Sequence, residues 1–190
     1  IFRNVVIDGM TLDLDMANQS GSRSMNGIQL MCSNDSIIKN IRIIRWGTDS
    51  IEAFPLAISW GDPDTLLESS NNIIENCIVE RPVKIKSTLS PGGGGFTAIM
   101  MYSNDSVIRN CTVDGRWDNG TFSSSYSGNG ICAWGKGTSM HNNIIKYVTV
   151  GSYHDTGHVA DSLIYNNKYE FVVGAYITYY ECGARNNTVI

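Results

Sequence analysis

Apolar residues recur along the chain in short runs that share one pattern. In most runs apolar residues lie just before a single asparagine, and apolar or aromatic residues follow it. The runs are 1–7, 35–43, 72–79, 105–113, 143–150, 161–169 and 184–189. The anchor positions are Asn4, Asn40, Asn76, Asn110, Tyr147, Asn166 and Asn186. Steps of 36, 36, 34, 37, 19 and 20 residues between these anchors predict a repeat architecture.

A second column of short runs lies upstream of the anchors, and turn-forming residues bound its members. The upstream runs are 27–31, 56–60, 97–101, 130–134 and 175–179. Each repeat therefore predicts three strands, one upstream, one before the anchor and one after it. Asparagine suits the bend because it tolerates the left-handed backbone conformation. Strands stacked about 4.8 Å apart would bring the anchor amides into a hydrogen-bonded ladder.

Composition supports an all-β fold and argues against other classes. The 190 residues include 22 Ile and 12 Val against 8 Leu and 8 Ala, a balance typical of strands. No apolar run of about 18 residues occurs, so no membrane span is expected. The net charge is −4 and Lys and Arg form no cluster, so no nucleic-acid partner is expected. The length suits one domain over residues 1–190.

The phrase Ile-x-Asn-Cys-x-Val occurs at 74–79 and again at 108–113. Together with the repeat, it resembles the right-handed single-stranded parallel β-helix of the pectate-lyase-like superfamily. The resemblance implies a solenoid of about seven rungs. Steps of 34–37 residues must carry extra segments, so long loops are expected at 45–55, 61–71, 81–96 and 115–129. A β-sandwich with coincidental repeats is the alternative.

Neither end of the chain shows a polar capping element in the sequence. An uncapped solenoid end exposes strand edges and core side chains. The sequence is therefore expected to be a segment of a longer solenoid. A homotrimer or end-to-end stacking of copies is the alternative.

Two carboxylates stand out as candidate catalytic groups. The fourth residue after each anchor gives a column of Asp8, Ile44, Glu80, Asp114 and Gly151. Glu80 and Asp114 would then be neighbours about 4.8 Å apart along the stack. Two carboxylates that close can raise one pKa, which gives an acid and a base or nucleophile. Retaining glycosidases use carboxyl groups about 5–5.5 Å apart.

Cations and polar side chains surround this pair in the sequence. Arg116 and Lys84 are candidate catalytic residues, and Arg81, Lys86, Trp117 and Asp118 are candidate substrate-binding residues. The superfamily resemblance implies polysaccharide lyase chemistry with an Arg or Lys base, and carboxylate-bound calcium is the one cofactor it suggests. The alternative is a solvated, self-paired charge cluster. No catalytic motif of a specific enzyme family in this superfamily is present in full.

The segment 152–158 forms a second candidate. His154 and His158 are candidate general acid–base residues, and Tyr153 is a candidate substrate-binding residue. No third ligand lies nearby in the sequence, so no metal site is expected. The alternative is a polar turn between rungs.

An apolar column closes the upstream runs. Its members are Met31, Trp60, Met101, Trp134 and Tyr179. If the column faces outward, it forms an aromatic strip suited to stacking on sugar rings. If it faces inward, it is core.

Five cysteines match no zinc or redox spacing and are expected to act mainly as small core residues. Glycosylation sequons begin at Asn34, Asn104 and Asn119, which fits a secreted chain.

Two functions remain open on the sequence. One is an extracellular or surface-exposed β-helix that binds a polysaccharide and cleaves it by hydrolysis or elimination if it is an enzyme. The other is a non-enzymatic structural or adhesive module, such as part of a viral tailspike, an adhesin or a filament. A regular ice-binding or mineral-binding face is a weaker third reading.

Overall fold

The computed structural model describes residues 2–15, 27–46, 56–59, 69–83, 97–117, 119–122, 128–154, 161–177 and 182–190. All regular structure in these ranges is β-strand, and every strand pairing is parallel. Within these ranges no helix is long and apolar enough to cross a membrane. The prediction of an all-β fold built from parallel strands is confirmed, and it is compatible with a parallel solenoid.

The strands lie in three columns, each of which pairs from one repeat to the next. The first column comprises the first halves of β2 (Val6–Asp13) and β5 (Ile37–Ile44), then β7 (Ile73–Glu75), β10 (Val107–Arg109), β13 (Ser139–His141), β16 (Leu163–Tyr165) and β19 (Gly183–Arg185). The second comprises the second halves of β2 and β5, then β8 (Ile78–Glu80), β11 (Thr112–Asp114), β14 (Ile144–Lys146), β17 (Lys168–Glu170) and β20 (Thr188–Val189). The two columns form one sheet because β2 and β5 run through both.

The upstream runs are the third column and form a separate sheet, which we call the third sheet after that column. It contains β3 (Ile28–Met31), β6 (Leu56–Ser59), β9 (Thr97–Tyr102), β12 (Asn129–Trp134), β15 (Val150–His154) and β18 (Gly174–Ile177). A small additional pair joins β1 (Phe2–Arg3) to β4 (Ser33–Asn34). Each repeat thus contributes three strands, as the sequence predicts. Of the expected long loops, residues 47–55, 61–68, 84–96, 118 and 123–127 lie outside the described residues.

Three left-handed bends recur in the repeats at five-residue intervals, and their φ angles lie between 49° and 74°. Asp15, Cys32 and Gly120 also have positive φ but lie outside this series. The first bend is at Asn4, Asp35, Asn71, Asp105, Gly137 and Asp161. The second is at Gly9, Asn40, Asn76, Asn110, Asn142, Asn166 and Asn186. The third is at Arg45, Arg81, Tyr147 and Phe171. Asn, Asp and Gly dominate the first two bends because they tolerate this conformation best.

Two predicted anchors were wrong. Asn4 belongs to the first bend and Tyr147 to the third, while Gly9 and Asn142 take the anchor position in those repeats. Each bend has apolar residues on both sides, so the flanking pattern alone does not distinguish one bend from the next.

Gly115 occupies the third-bend position in its repeat. A Cβ atom there would lie 2.0 Å from the carbonyl oxygen of Tyr147, so only glycine lets the two backbones approach this closely.

Isoleucine and valine fill the interior, as predicted. Ile38, Ile74, Ile108 and Ile164 stack along the first column with no exposure to solvent, and Met140 continues them between Ile108 and Ile164. Methyl groups from successive repeats are thereby removed from water together, which is the main favourable contribution to folding.

The predicted asparagine ladder exists, but one residue after the bend. The second-bend asparagines are exposed, whereas Asn143 and Asn167 point inward and are buried. Asn143 Nδ2 donates to Asn167 Oδ1 at 3.0 Å, and Asn167 Nδ2 donates to Asn187 Oδ1 at 3.2 Å. Cys77 and Cys111 fill the same position in earlier repeats. The residue after the bend faces the core because the left-handed turn reverses the side-chain direction there.

Candidate functional site

Glu80 and Asp114 lie in register on adjacent strands, as predicted. Along the second column, Ile44 precedes Glu80, and Lys146 follows Asp114. The expected places of Asp8 and Gly151 in this column were wrong, because both were derived from the misplaced anchors. Asp8 pairs instead with Lys39 in the first column, and Gly151 lies in the third sheet. We call the group Glu80, Asp114, Arg116, Lys146, Tyr147 and Phe171 the charged corner.

Asp114 is held firmly in its ionised form. Its side chain is nearly buried, and Arg116 Nε donates to both carboxylate oxygens, at 3.0 and 3.1 Å. Lys146 Nζ lies 3.3 Å from Oδ2. Burial raises the pKa of Asp114, but the hydrogen bonds from Arg116 and the charge of Lys146 outweigh it and leave the pKa below its ordinary value. The expectation that the neighbouring carboxylates raise a pKa fails for Asp114.

Glu80 has its own cation. Arg42 lies across the column from it, and its Nε donates to Glu80 Oε1 at 2.9 Å, while Nη2 forms an ion pair with the same oxygen. Each carboxylate of the candidate pair is therefore neutralised by a different arginine. A calcium ion on Glu80 and Asp114 would have to displace Arg42, Arg116 and Lys146, so these residues do not fit such an ion.

Aromatic rings complete the charged corner, and sequence reasoning missed them. The guanidinium carbon of Arg116 lies 4.7 Å from the ring centroid of Tyr147. Tyr147 stacks on Phe171 with centroids 4.9 Å apart and planes at 12°. Phe122 approaches Tyr147 edge-on at 5.8 Å. Their position could have been predicted from the sequence, because Tyr147 and Phe171 each lie five residues after a second-bend asparagine, Asn142 or Asn166, and therefore occupy the third bend.

The other candidates near the corner are only partly described. Arg81 occupies the third bend itself. The pKa of Asp13 is lowered chiefly by the hydrogen bond from Arg45, and the charge of Arg81 is the smallest contribution. Trp117 is half-buried in a turn. Its backbone N–H donates to the Thr121 carbonyl at 2.8 Å, and its backbone carbonyl accepts from the Gly120 N–H at 2.7 Å. Candidates outside the described residues are Lys84, Lys86, Asp118 and His158.

His154 is not a surface acid–base group. It lies on β15 in register with Ala133, which in turn pairs with Met101, and all three side chains are fully buried in the core. Its Nδ1 lies 2.9 Å from Cys182 Sγ, and its Nε2 is buried without a partner in the described part of the chain. Burial lowers the pKa of His154 to about 4. Alternation along β15 turns this residue inward, so its general acid–base role stays a prediction for a group that solvent does not reach in this structure.

Cys182 shares this enclosed environment, and burial raises the pKa of its thiol to about 11. Both groups are therefore neutral near pH 7, and the imidazole tautomer decides whether the thiol or Nδ1–H is the donor. The described residues contain no group of three His, Cys, Asp or Glu side chains that could hold a metal ion.

The outer face of the third sheet carries a second apolar cluster, separate from the core. Ala57, Met100 and Cys132 are buried there, and three half-buried aromatic side chains pack against them. We call these aromatic residues the outer strip, and they are Tyr102, Trp134 and Tyr153. Tyr153, a candidate from the sequence, thus lies on this face and not beside Glu80.

Trp134 and Tyr102 form the centre of the outer strip. They lie in register on β12 and β9, and their rings meet edge to face with centroids 4.5 Å apart and planes at 82°. Trp134 Nε1 is buried and has no hydrogen-bond acceptor in the described residues. A buried indole N–H usually has an acceptor, so this donor is the unusual feature of the surface.

The predicted apolar column combined residues from both faces. Met101 pairs with Ala133 and faces the core, so the residue beside Trp134 is Tyr102. Met31 pairs with Ser59 and is half exposed. A one-residue slip in register moves a side chain to the opposite face, which is how Met101 was misplaced. Trp60 and Tyr179 lie outside the described residues.

Comparison with known proteins identifies no relative. A scan of protein-family models, a search of curated proteins and a search of solved structures each gave no match. The resemblance to pectate-lyase-like proteins therefore rests on the repeat, the Ile-x-Asn-Cys-x-Val phrase and the all-parallel pairing.

Proposed function

We propose that the chain is a right-handed parallel β-helix of about seven rungs, extracellular or surface-exposed, that binds a polysaccharide on the outer strip. The observation that carries this proposal is the Tyr102–Trp134 pair, whose half-buried rings lie on an apolar surface of Ala57, Met100 and Cys132. The repeated parallel pairing of every strand supports the solenoid architecture.

The chemistry of the outer strip suits a sugar. Aromatic rings offer apolar faces to the C–H groups of a pyranose. Trp134 Nε1 itself is buried, so the contact expected with a sugar is made by the exposed part of the ring and not by a hydrogen bond to this nitrogen.

Binding, rather than cleavage at Glu80 and Asp114, is the proposed activity. A glycosidase acid needs a carboxyl group with a raised pKa, whereas the pKa of Asp114 is lowered. Arg42 and Arg116 are both engaged with carboxylates, so neither is available as the free base of a lyase.

The test is binding to a panel of neutral and uronic-acid polysaccharides by affinity electrophoresis and titration calorimetry. Trp134→Ala should abolish retardation by the ligand, and Trp134→Phe, which keeps an aromatic ring, should retain most of it. Tyr165→Ala is the matched control, because Tyr165 stacks on His141 at 4.6 Å in the first column. A ligand bound equally well by wild type and Trp134→Ala would refute the outer strip as its site.

A non-enzymatic structural or adhesive module is the second candidate. The observation in its favour is that cations bind both candidate catalytic carboxylates. Trimers or fibres in light scattering, with no retardation by any polysaccharide, would favour this module over the polysaccharide binder.

A further inference from the structure

Six Asn-x-Ser/Thr sequons occur in the chain, and the fold treats them differently; they begin at Asn18, Asn34, Asn104, Asn110, Asn119 and Asn186. Asn18 lies outside the described residues, and Asn110 and Asn186 are exposed at the second bend. The sequons 34–36 and 104–106 lie at the first bend of two repeats, with the repeat of Asn71 between them, while 119–121 lies in the turn after β11. An N-linked glycan is bulky and lies on the surface of a folded protein, so its sequon needs an accessible Asn amide nitrogen and open space around it. The sequons at Asn34, Asn104 and Asn119 differ in these two respects.

The sequon at Asn34 is built into the stack. Asn34 Oδ1 accepts from the backbone N–H of Ser70 at 2.8 Å and from its hydroxyl at 3.2 Å. Ser36 is fully buried, and its hydroxyl donates to the Asn34 carbonyl at 3.0 Å.

The sequon at Asn104 is built in the same way. Asn104 Oδ1 accepts from the backbone N–H of Lys136 at 3.0 Å. Ser106 is fully buried, and its hydroxyl lies 2.7 Å from both the Asn104 carbonyl and Ser103 Oγ. In both sequons, therefore, the serine hydroxyl is enclosed and the asparagine links one repeat to the next.

The sequon at Asn119 is presented to solvent along its whole length. Asn119, Gly120 and Thr121 are all exposed. Asn119 Oδ1 accepts from the Thr121 hydroxyl at 2.7 Å and from its backbone N–H at 3.0 Å, which leaves Nδ2 pointing away from these bonds. Gly120 has φ of 80°, and even a Cβ atom there would meet nothing within 4 Å. The turn thus brings the hydroxyl group to the amide and leaves open space around both.

We propose that Asn119 is an acceptor site for an N-linked glycan in this chain, and that Asn34 and Asn104 are not. The donor is an oligosaccharide linked through pyrophosphate to a membrane lipid. Asn119 Nδ2 forms a bond to the anomeric carbon and loses a proton, the bond from that carbon to the pyrophosphate oxygen breaks, and the lipid pyrophosphate leaves. The glycan would project from the turn that follows Arg116 and Trp117, beside the charged corner.

The experiment is secretion of the whole chain from a eukaryotic host, followed by enzymatic release of N-glycans in heavy-oxygen water. Release converts a glycosylated Asn into labelled Asp, which peptide mass spectrometry locates. The label is expected at Asn119, and it should vanish in Thr121→Ala and in Asn119→Gln but persist in Thr121→Ser. Circular dichroism of each secreted variant checks that the β structure is retained, which both exposed positions should allow.

Two results would overturn the proposal. One is folded, secreted wild-type protein with Asn119 unlabelled. The other is label on Asn34 or Asn104 in the folded fraction, because that would mean the stack accepts a glycan at a bonded, half-buried amide.

Discussion

The early repeats, around Asn40, Asn76 and Asn110, and the late repeats, around Asn142, Asn166 and Asn186, share one backbone plan but differ inside. At the position after the second bend, the early repeats place Ile41, Cys77 and Cys111. The late repeats place Asn143, Asn167 and Asn187 there, joined by amide hydrogen bonds. The same stack can thus be held by dispersion and apolar burial or by a chain of hydrogen bonds.

The third sheet shows the same change. Its inward side chains in β9 include Ile99 and Met101, whereas β15 places Ser152 and His154 in the same columns. Ser152 is satisfied by the hydroxyl of Tyr169 at 2.9 Å. A polar interior tolerates few unsatisfied groups, so the late repeats are expected to be more sensitive to single substitutions and to pH.

The largest effect is expected from removal of an amide in the ladder. Asn167 Nδ2 donates to the Met140 carbonyl at 2.9 Å, and Asn167 Oδ1 accepts from the backbone N–H of Asn143 at 2.9 Å. Asn167→Ala leaves both groups buried and unpaired, so the free energy of unfolding should fall by roughly 3–5 kcal/mol. The measurement is urea unfolding followed by circular dichroism.

Cys111→Ala is the matched control in the early repeats. It removes a small apolar group from the equivalent position, so the expected loss is only about 1–2 kcal/mol. Equal losses in the two variants would show that the contrast between early and late repeats has no energetic meaning.

The second expected effect is pH dependence from His154. Its pKa is about 4 in the folded chain, below the 6.5 of a free histidine, so the unfolded chain binds the proton more tightly. The contribution of neutral His154 to the free energy of unfolding is therefore fully present above about pH 6.5. It is lost as the pH decreases toward about 4, by up to roughly 3 kcal/mol. Urea midpoints measured between these pH values should move down in wild type. In His154→Leu the urea midpoints should stay nearly constant over the same range. If the midpoint of the variant falls with pH as steeply as that of wild type, another group is responsible for the pH dependence.

A smaller effect is expected where the charged corner joins the two regions. Asp114→Asn weakens the bonds to Arg116 and Lys146, and since Arg116 is partly exposed, the loss should be about 1–2 kcal/mol. Asp161→Asn is the control, because Asp161 and Lys136 are both largely exposed and 3.9 Å apart, and asparagine tolerates the φ of 63° there. Thermal unfolding should separate the two variants, and a comparable drop in both would argue that the near-burial of Asp114 does not matter.

Much of the fold could be predicted from the sequence. The strands on either side of Asn40, Asn76, Asn110 and Asn166 follow from apolar residues around a residue that tolerates a left-handed bend. The register of Glu80 with Asp114 follows because their repeats have the same internal spacing. Those parts of the fold depend on local pattern, which a single sequence contains.

The candidate site was less predictable for physical reasons. Alternation in the upstream strands is blurred, because β9 and β12 are buried on both faces over most of their length. The sequence therefore gave no means of deciding that His154 faces inward or that Tyr102, and not Met101, meets Trp134. One partner of Asp114, Lys146, lies 32 positions further along the chain. With Tyr147 taken as the anchor of its repeat, Lys146 was not placed in the column of Asp114, whereas Asn142 as the anchor places it there.

The constant five-residue interval between bends divides the chain into parts that differ in their tolerance of insertion. If one residue were inserted between the first and the third bend of a repeat, each side chain after the insertion, up to the third bend, would move from the core to the solvent face or the reverse. All variation in repeat length is instead confined to the connections that adjoin the third sheet, since 36 residues separate Asn40 from Asn76 but only 20 separate Asn166 from Asn186. A foreign peptide grafted into such a connection should leave the register of the stacked strands unchanged, so the fold could carry inserted segments of different lengths at these positions.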